Sequence, residues 1–258
     1  MILRPLEPPP ASRQEWVSAW PVVERLQRQK YENCWMITQP SHAALAGDLA
    51  ARLTAPQIPK LEAELVRAIA LHDAGWGMPD ARAVVRSRST RAGCPKSFLD
   101  VVVAEFVEAW TQSIEIVQPV SPAGGYIVSR HFWRLGEHRL AHGDDTESDR
   151  KKLQSFLGRE SARQKRLASK QARSADKLEL LTDVLQFCDL LSLYICSGAR
   201  DSVQFPEYFG IAARLSLVEQ SYKLDPPLVA SGAPFAVARL RHPATKEKSG
   251  EELKIVVV

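Results

Sequence analysis

Residues 178–196 carry Leu178, Leu180, Leu181, Val184, Leu185, Phe187, Leu190, Leu191, Leu193 and Ile195, so a helix drawn through them is apolar nearly all round. Such a helix has no face to give to water and belongs in the middle of a core. Asp189 stands at its centre. A buried polar group without a partner costs roughly 1–3 kcal/mol, and an ionised one more, so Asp189 requires a cation or a strong donor beside it. The chain must therefore build a domain that surrounds this helix and places a polar centre inside it. Its 258 residues, 45% hydrophobic and 25% charged, suffice for one large core.

The remaining segments read mostly as helices. Residues 15–29 alternate apolar and charged positions up to a break at Pro21, and Cys34-Trp35-Met36-Ile37-Thr38 reads as a short strand. An Ala- and Leu-rich helix is expected over 41–53, with Ser41 as N-cap and Pro56 and Pro59 closing it. Leu61, Leu65, Ile69 and Leu71 line one face of the next, over 60–74, with Gly75 as its stop. A third covers 97–116 with Phe98, Val101, Val102, Phe106, Val107 and Trp110 inward, and Ser121-Pro122 opens a fourth that runs to about Arg134. Residues 234–240 and 252–258 read as two strands joined by a polar turn.

Charge excludes some classes of function. Lys+Arg number 34 against 30 Asp+Glu, a net +4 that is too small for a chain coated by nucleic acid. The excess is local: residues 150–177 hold ten Lys/Arg against Glu160 and Asp176. That segment reads as a solvated helix projecting from the body, or as a local positive field that draws in nucleotides, polyphosphate or RNA. Phe156 is its one aromatic, so stacking on single strands is poorly supported. No apolar run reaches membrane-spanning length and no secretory leader is evident, so a cytoplasmic protein without membrane contact is expected. Cys34, Cys94, Cys188 and Cys196 form no CxxC and read as reduced, mostly buried thiols. Gly124-Gly125 is too short for a phosphate-binding loop.

The chemistry lies in polar residues set where helices should be apolar. His42 falls in the first turn of one helix, His72-Asp73 closes another, and Asp189 interrupts the most apolar one. Two imidazoles and two carboxylates make a mixed N/O set suited to a divalent ion. The bland alternative for each is structural: His72-Asp73 satisfied by backbone groups at a helix end, and Asp189 by a Tyr or Arg in the core.

His42, His72-Asp73 and Asp189, in this order and on helices, resemble the H…HD…D signature of the HD-domain superfamily of metal-dependent phosphohydrolases. The likeness covers about 39–197, and Gln39-Pro40-Ser41-His42 with His72-Asp73-Ala74-Gly75-Trp76 is closer to a bacterial branch with no assigned substrate. It implies a mainly α, HD-like helical bundle with a small β element from the N- and C-terminal segments. It divides the chain into an extension with a short strand (1–38), a helical domain with a basic insertion at 145–177 (39–200), and a mixed segment with a β-hairpin (201–258).

For function, the resemblance implies hydrolysis of a phosphoester, such as a nucleotide, by one divalent ion (Fe, Mn, Ni, Co, Zn or Mg) on His42, His72, Asp73 and Asp189. Asp73 and His131 would serve catalysis. Arg130 and Arg134, four apart on one helix face, would take the phosphoryl group. Many HD hydrolases carry Lys three residues after the motif Asp. Here that residue is Trp76, which reads as a substrate-facing aromatic or as core packing. Two other readings remain open: a non-catalytic metal- or nucleotide-binding module, and a diiron oxygenase drawing on His131, His138 and His142. The apolar run Ile255-Val256-Val257-Val258 suggests self-association by strand-edge pairing.

Overall fold

The computed structural model describes residues 1–11, 18–58, 60–87, 95–244 and 250–258. Residues 15–17, Pro59, Cys94 and most of the expected turn before the last strand, at 245–249, lie outside the described residues. The described helices are α1 (Ala19–Gln27), α2 (Gln39–Ala51), α3 (Ala63–Ala70), α4 (Gly77–Ser87), α5 (Val103–Val117), α6 (Pro122–His142), α7 (Glu147–Ala168) and α8 (Ala175–Cys196). The strands are β1 (Ile2–Pro5), β2 (Cys34–Ile37), β3 (Val203–Gln204), β4 (Arg214–Val218), β5 (Ser221–Asp225), β6 (Phe235–His242) and β7 (Gly250–Val257).

As its composition demands, α8 runs through the core: it packs against α1, α2 and α6, and Leu181, Leu185, Phe187, Leu191 and Tyr194 are buried. Ser174 caps it, accepting from the Lys177 N–H, so the helix starts before the apolar run. Thr38, and not Ser41, caps α2: its hydroxyl accepts from the Ser41 N–H, with Pro40 in the first turn. Ser121 caps α6, accepting from Gly124 N–H at 2.9 Å. That helix continues past Arg134 to His142, through Gly136, where Leu157 of α7 sits close.

The expectation of a helical bundle with a small β element, and of an all-α class, is overturned by a curled, seven-stranded mixed sheet in the order β1-β2-β6-β7-β5-β4-β3. The N-terminal strands are integral to it. Antiparallel β2 pairs Cys34 with His242 and Met36 with Leu240 of β6, while β1 pairs with the other side of β2. The outer edge of β1 is covered by the Gln27 side chain, whose amide donates to Leu3 C=O at 2.7 Å and whose oxygen accepts from Leu3 N–H at 2.9 Å. The C-terminal run is no free edge either. β7 lies between antiparallel β6 and parallel β5, and the Val258 N–H donates to Tyr222 C=O, so edge pairing through residues 255–258 is excluded. The sequence reading underestimated the sheet because β4 and β5 are five residues each, half-exposed, and followed by Pro226 and Pro227.

The basic segment does not project. α7 lies along α6 and α5, burying Leu153, Phe156 and Leu167, and its outer face carries the exposed cations. Glu160 of α7 is fully buried, accepting from Ser129 Oγ at 2.8 Å and pairing with Arg163 at 3.0 Å. No described helix is long and apolar enough to cross a membrane. Cys34, Cys188 and Cys196 are buried, and no disulfide joins them to one another.

Candidate metal centre

The chain does not stop at Gly75. After α3 it makes a turn at 71–73, a short 3-10 helix at Ala74–Trp76, and then α4. Gly75 is pressed against α5: a Cβ there would lie 2.1 Å from Ala109 C=O, and the Gly75 N–H donates to Ser113 Oγ at 2.9 Å. This contact fixes the turn that carries His72 and Asp73. His42 comes from the first turn of α2, His131 from the middle of α6 and Asp189 from α8.

These residues meet in the core. His42 Nε2 lies 2.8 Å from Asp73 Oδ2, and His72 Nε2 lies 3.2 Å from Asp189 Oδ1 and 3.7 Å from Asp73 Oδ2. The His72 ring stands edge-on to both His42 and His131, with centroids 5.4 and 5.6 Å away. His42, His72 and Asp189 each offer a ligand atom within 4.8 Å of the others, so the group can hold a metal ion, and Asp73 touches both imidazoles beside it.

The surrounding hydrogen bonds select the ligand nitrogens. His72 Nδ1–H donates to Ile69 C=O at 2.7 Å. Ser192 donates its hydroxyl proton to Asp189 C=O at 2.8 Å, so at 2.9 Å it accepts from His42 Nδ1–H. With Nδ1–H so engaged, it is Nε2 of each ring that faces a carboxylate and is placed to bind a metal or carry a proton. Such outer partners fix the tautomer and orientation of metal-binding histidines. The site demands positive charge. Burial would lower the His72 pKa, but the Asp73 and Asp189 carboxylates outweigh it and raise it to about 9. Burial likewise opposes ionisation of Asp189, yet the hydrogen bond with His72 and the charge on that ring hold it at about 2.

His131 completes the wall. Its Nε2 lies 3.8 Å from Asp189 Oδ2, and its Nδ1 is buried with no hydrogen-bond partner among the described residues. Burial lowers its pKa to about 4, leaving the ring neutral at pH 7.

The other sequence candidates lie differently. Arg130 pairs with Glu179 at 3.0 Å and covers the Trp133 ring, while Arg134 binds Glu179 at 2.7 Å, Asp183 at 2.6 Å and the Gln186 amide oxygen. Both guanidinium groups thus tie α6 to α8. Trp76 is buried and lines a cavity of ≈ 680 Å³ with α4 and α5 residues, to which none of the four histidine and aspartate residues contributes. His138 and His142 are exposed and lie against each other, 4.4 Å between centroids, and are not brought to His131. The diiron set is therefore not assembled.

Sequence reasoning missed Ser192, although a hydroxyl three residues after Asp189 in an apolar helix is a readable signal.

The sequence model of a family described as a protein of unknown function, DUF3891, matches residues 26–222, about three quarters of the chain and the whole centre, and the chain belongs to that family. No curated protein and no solved structure matches it.

Proposed function

We propose that this DUF3891 member is a metal-dependent hydrolase of a small phosphoester, with His42, His72, Asp73 and Asp189 as ligands of one divalent ion. The observation that carries the reading is the pair of fixed imidazoles: each Nδ1–H is spent on a protein acceptor, and each Nε2 faces a carboxylate oxygen at 2.8 or 3.2 Å. Lone pair against lone pair is unfavourable, and a proton or a metal relieves it. A divalent ion on two carboxylates leaves the buried centre near neutrality. The N/O donor set suits Mn, Fe, Co, Ni or Zn over a soft ion, and the order His42, His72-Asp73, Asp189 is that of the HD-domain pattern. Bound there, the metal supplies Lewis acidity toward a phosphoryl oxygen and lowers the pKa of a water toward neutrality.

The protein's own groups do the rest. Ser192 and Ile69 orient the two imidazoles. His131, neutral and aimed at Asp189, takes up or returns a proton at the reacting oxygen. Arg130 and Arg134, held by Glu179 and Asp183, keep α6 against α8 and so keep His131 in place.

A second reading, a non-catalytic metal-sensing module, draws on access: His42 and His72 are fully buried, and the centre reaches the surface through the carboxylates of Asp73 and Asp189, 6% and 8% exposed. Hydrolysis of p-nitrophenyl phosphate, bis(p-nitrophenyl) phosphate and a nucleotide panel by protein loaded with Mn, Fe, Co, Ni or Zn separates the two. Turnover that Asp189→Asn abolishes supports the hydrolase. Metal retention without turnover on any ester supports the module.

A further inference from the structure

Two neighbouring helices carry exposed stripes of opposite charge. On α5, Glu105, Glu108, Gln112 and Glu115 recur every three or four residues, and all are exposed. On α7, Lys152, Ser155, Arg159, Ala162 and Arg166 recur at the same spacing and are likewise exposed. That spacing lays each set along one side of its helix, over about 15 Å on α5 and about 21 Å on α7. The apolar sides are spent on the core, where Phe106, Ile114, Leu153 and Phe156 are buried.

The two helices lie side by side and run the same way. Ala104 and Val107, early in α5, line a groove of ≈ 410 Å³ with Lys152, Ser155 and Arg159 of α7. Farther along, Arg163 reaches Glu115 at 3.8 Å and donates to the Gln118 amide oxygen at 3.2 Å. Among the described residues no ion pair holds Glu105, Glu108, Arg159 or Arg166: Glu108 accepts from Gln112 at 2.7 Å, and Arg159 donates to Ser155 at 3.0 Å. A helix that only faces water commonly balances its charges along itself, three or four residues apart. Here the signs are sorted onto separate helices, and α7 exposes no carboxylate after Asp149.

We infer that two copies of the chain associate through this face, about a two-fold axis that lies along the groove between α5 and α7. Such an axis sets α5 of each copy on α7 of the other, running in the same direction, so that the carboxylates at 105–115 stand opposite the cations at 152–166 twice over. Ser155 and Ala162, set between the cations, leave room for the opposing helix. A polyanion laid along α7 meets the α5 carboxylates beside the cations, whereas a second copy meets each sign with its opposite. Complementarity of this kind fixes partner and register more than it adds affinity. The association uses no residue of the metal centre and is independent of the chemistry proposed there.

The test is sedimentation velocity of the full chain at about 50 mM and about 500 mM NaCl, on wild type, on Glu105→Lys/Glu108→Lys, on Arg159→Glu/Arg166→Glu, and on the two variants mixed. None of these four side chains loses an ion pair within its own chain, so the thermal midpoints of the variants are expected to match wild type. The expected result is a wild-type dimer whose dissociation constant rises at least about 10-fold at the higher salt, each variant monomeric alone, and a dimer restored in the mixture, where every α5 again meets an α7 of opposite sign. A monomeric wild type at low salt, or a dimer that both variants keep, overturns the proposal. A mixture that stays monomeric overturns the pairing of α5 with α7. A monomeric wild type that binds a fluorescent nucleic-acid duplex, with binding lost in Arg159→Glu/Arg166→Glu, overturns it in favour of a nucleic-acid surface on α7.

Discussion

His72 Nε2 and Asp189 Oδ1 lie 3.2 Å apart although 117 residues separate them in the chain, and both groups are buried. This contact joins the turn after α3 to the central helix. Without a metal it is an ion pair, which gives the metal-free protein a defined pH response. The His72 pKa, raised to about 9 from 6.5, contributes stability that is complete below 6.5 and lost as pH rises through 9. The His131 pKa, lowered to about 4, makes the fold less stable as pH falls from 6.5 toward 4. Asp189, held at about 2 against 3.8, contributes stability that is lost as pH falls below 3.8. Thermal midpoints of metal-free protein should therefore peak near pH 6.5, and a bound metal, which displaces the His72 proton, should flatten the alkaline side. A metal-free profile level from pH 6.5 to 9 would contradict the pairing.

Ser192→Ala should weaken metal binding without unfolding the chain. The hydroxyl is the acceptor that fixes His42 Nδ1–H, and loss of such outer partners typically costs about 10–100-fold in metal affinity. Competition against a chelator measures it. An affinity within twofold of wild type would show that His42 is oriented without Ser192.

Gly75→Ala should be among the most damaging single methyl additions. The new Cβ would meet Ala109 C=O at 2.1 Å and Ser113 N at 2.6 Å, both backbone atoms that cannot turn aside. Overpacking of this kind costs about 1–3 kcal/mol or more, and here it also displaces the turn bearing His72 and Asp73. Denaturant unfolding and metal content should fall together. A stable variant with full metal content would contradict the close packing.

Phe156→Ala tests whether the basic helix belongs to the core. Phe156 is fully buried, 5.7 Å from the Trp110 ring, which stacks on Phe132 at 5.1 Å, one residue after His131. The expected cost is about 3–5 kcal/mol by chemical denaturation. A negligible cost would restore the picture of a projecting helix.

The helices and the centre were legible for one reason: burial on a 3.6-residue period marks each helix, and polar residues that break the pattern stand out. Asp189 among leucines and His72-Asp73 at a helix end could be picked out on that ground alone. The sheet was less legible. β1 is four residues, and β4 and β5 alternate Leu215, Leu217, Tyr222 and Leu224 over stretches too short to distinguish from loop. The engagement of Arg130 and Arg134 was invisible because a charge on a helix face does not declare its partner. Glu179 and Asp183 lie 45 to 49 residues away.

Whether His42, His72 and Asp189 hold a metal is decided by elemental analysis of purified protein beside His72→Ala and Asp189→Ala. About one divalent transition metal per chain is expected in the wild type, as isolated or after reconstitution, and its loss in both variants. A wild type that takes up no metal, or variants that retain it in full, would rule out a metal centre and leave the buried histidines and aspartates as a purely structural ion-pair network.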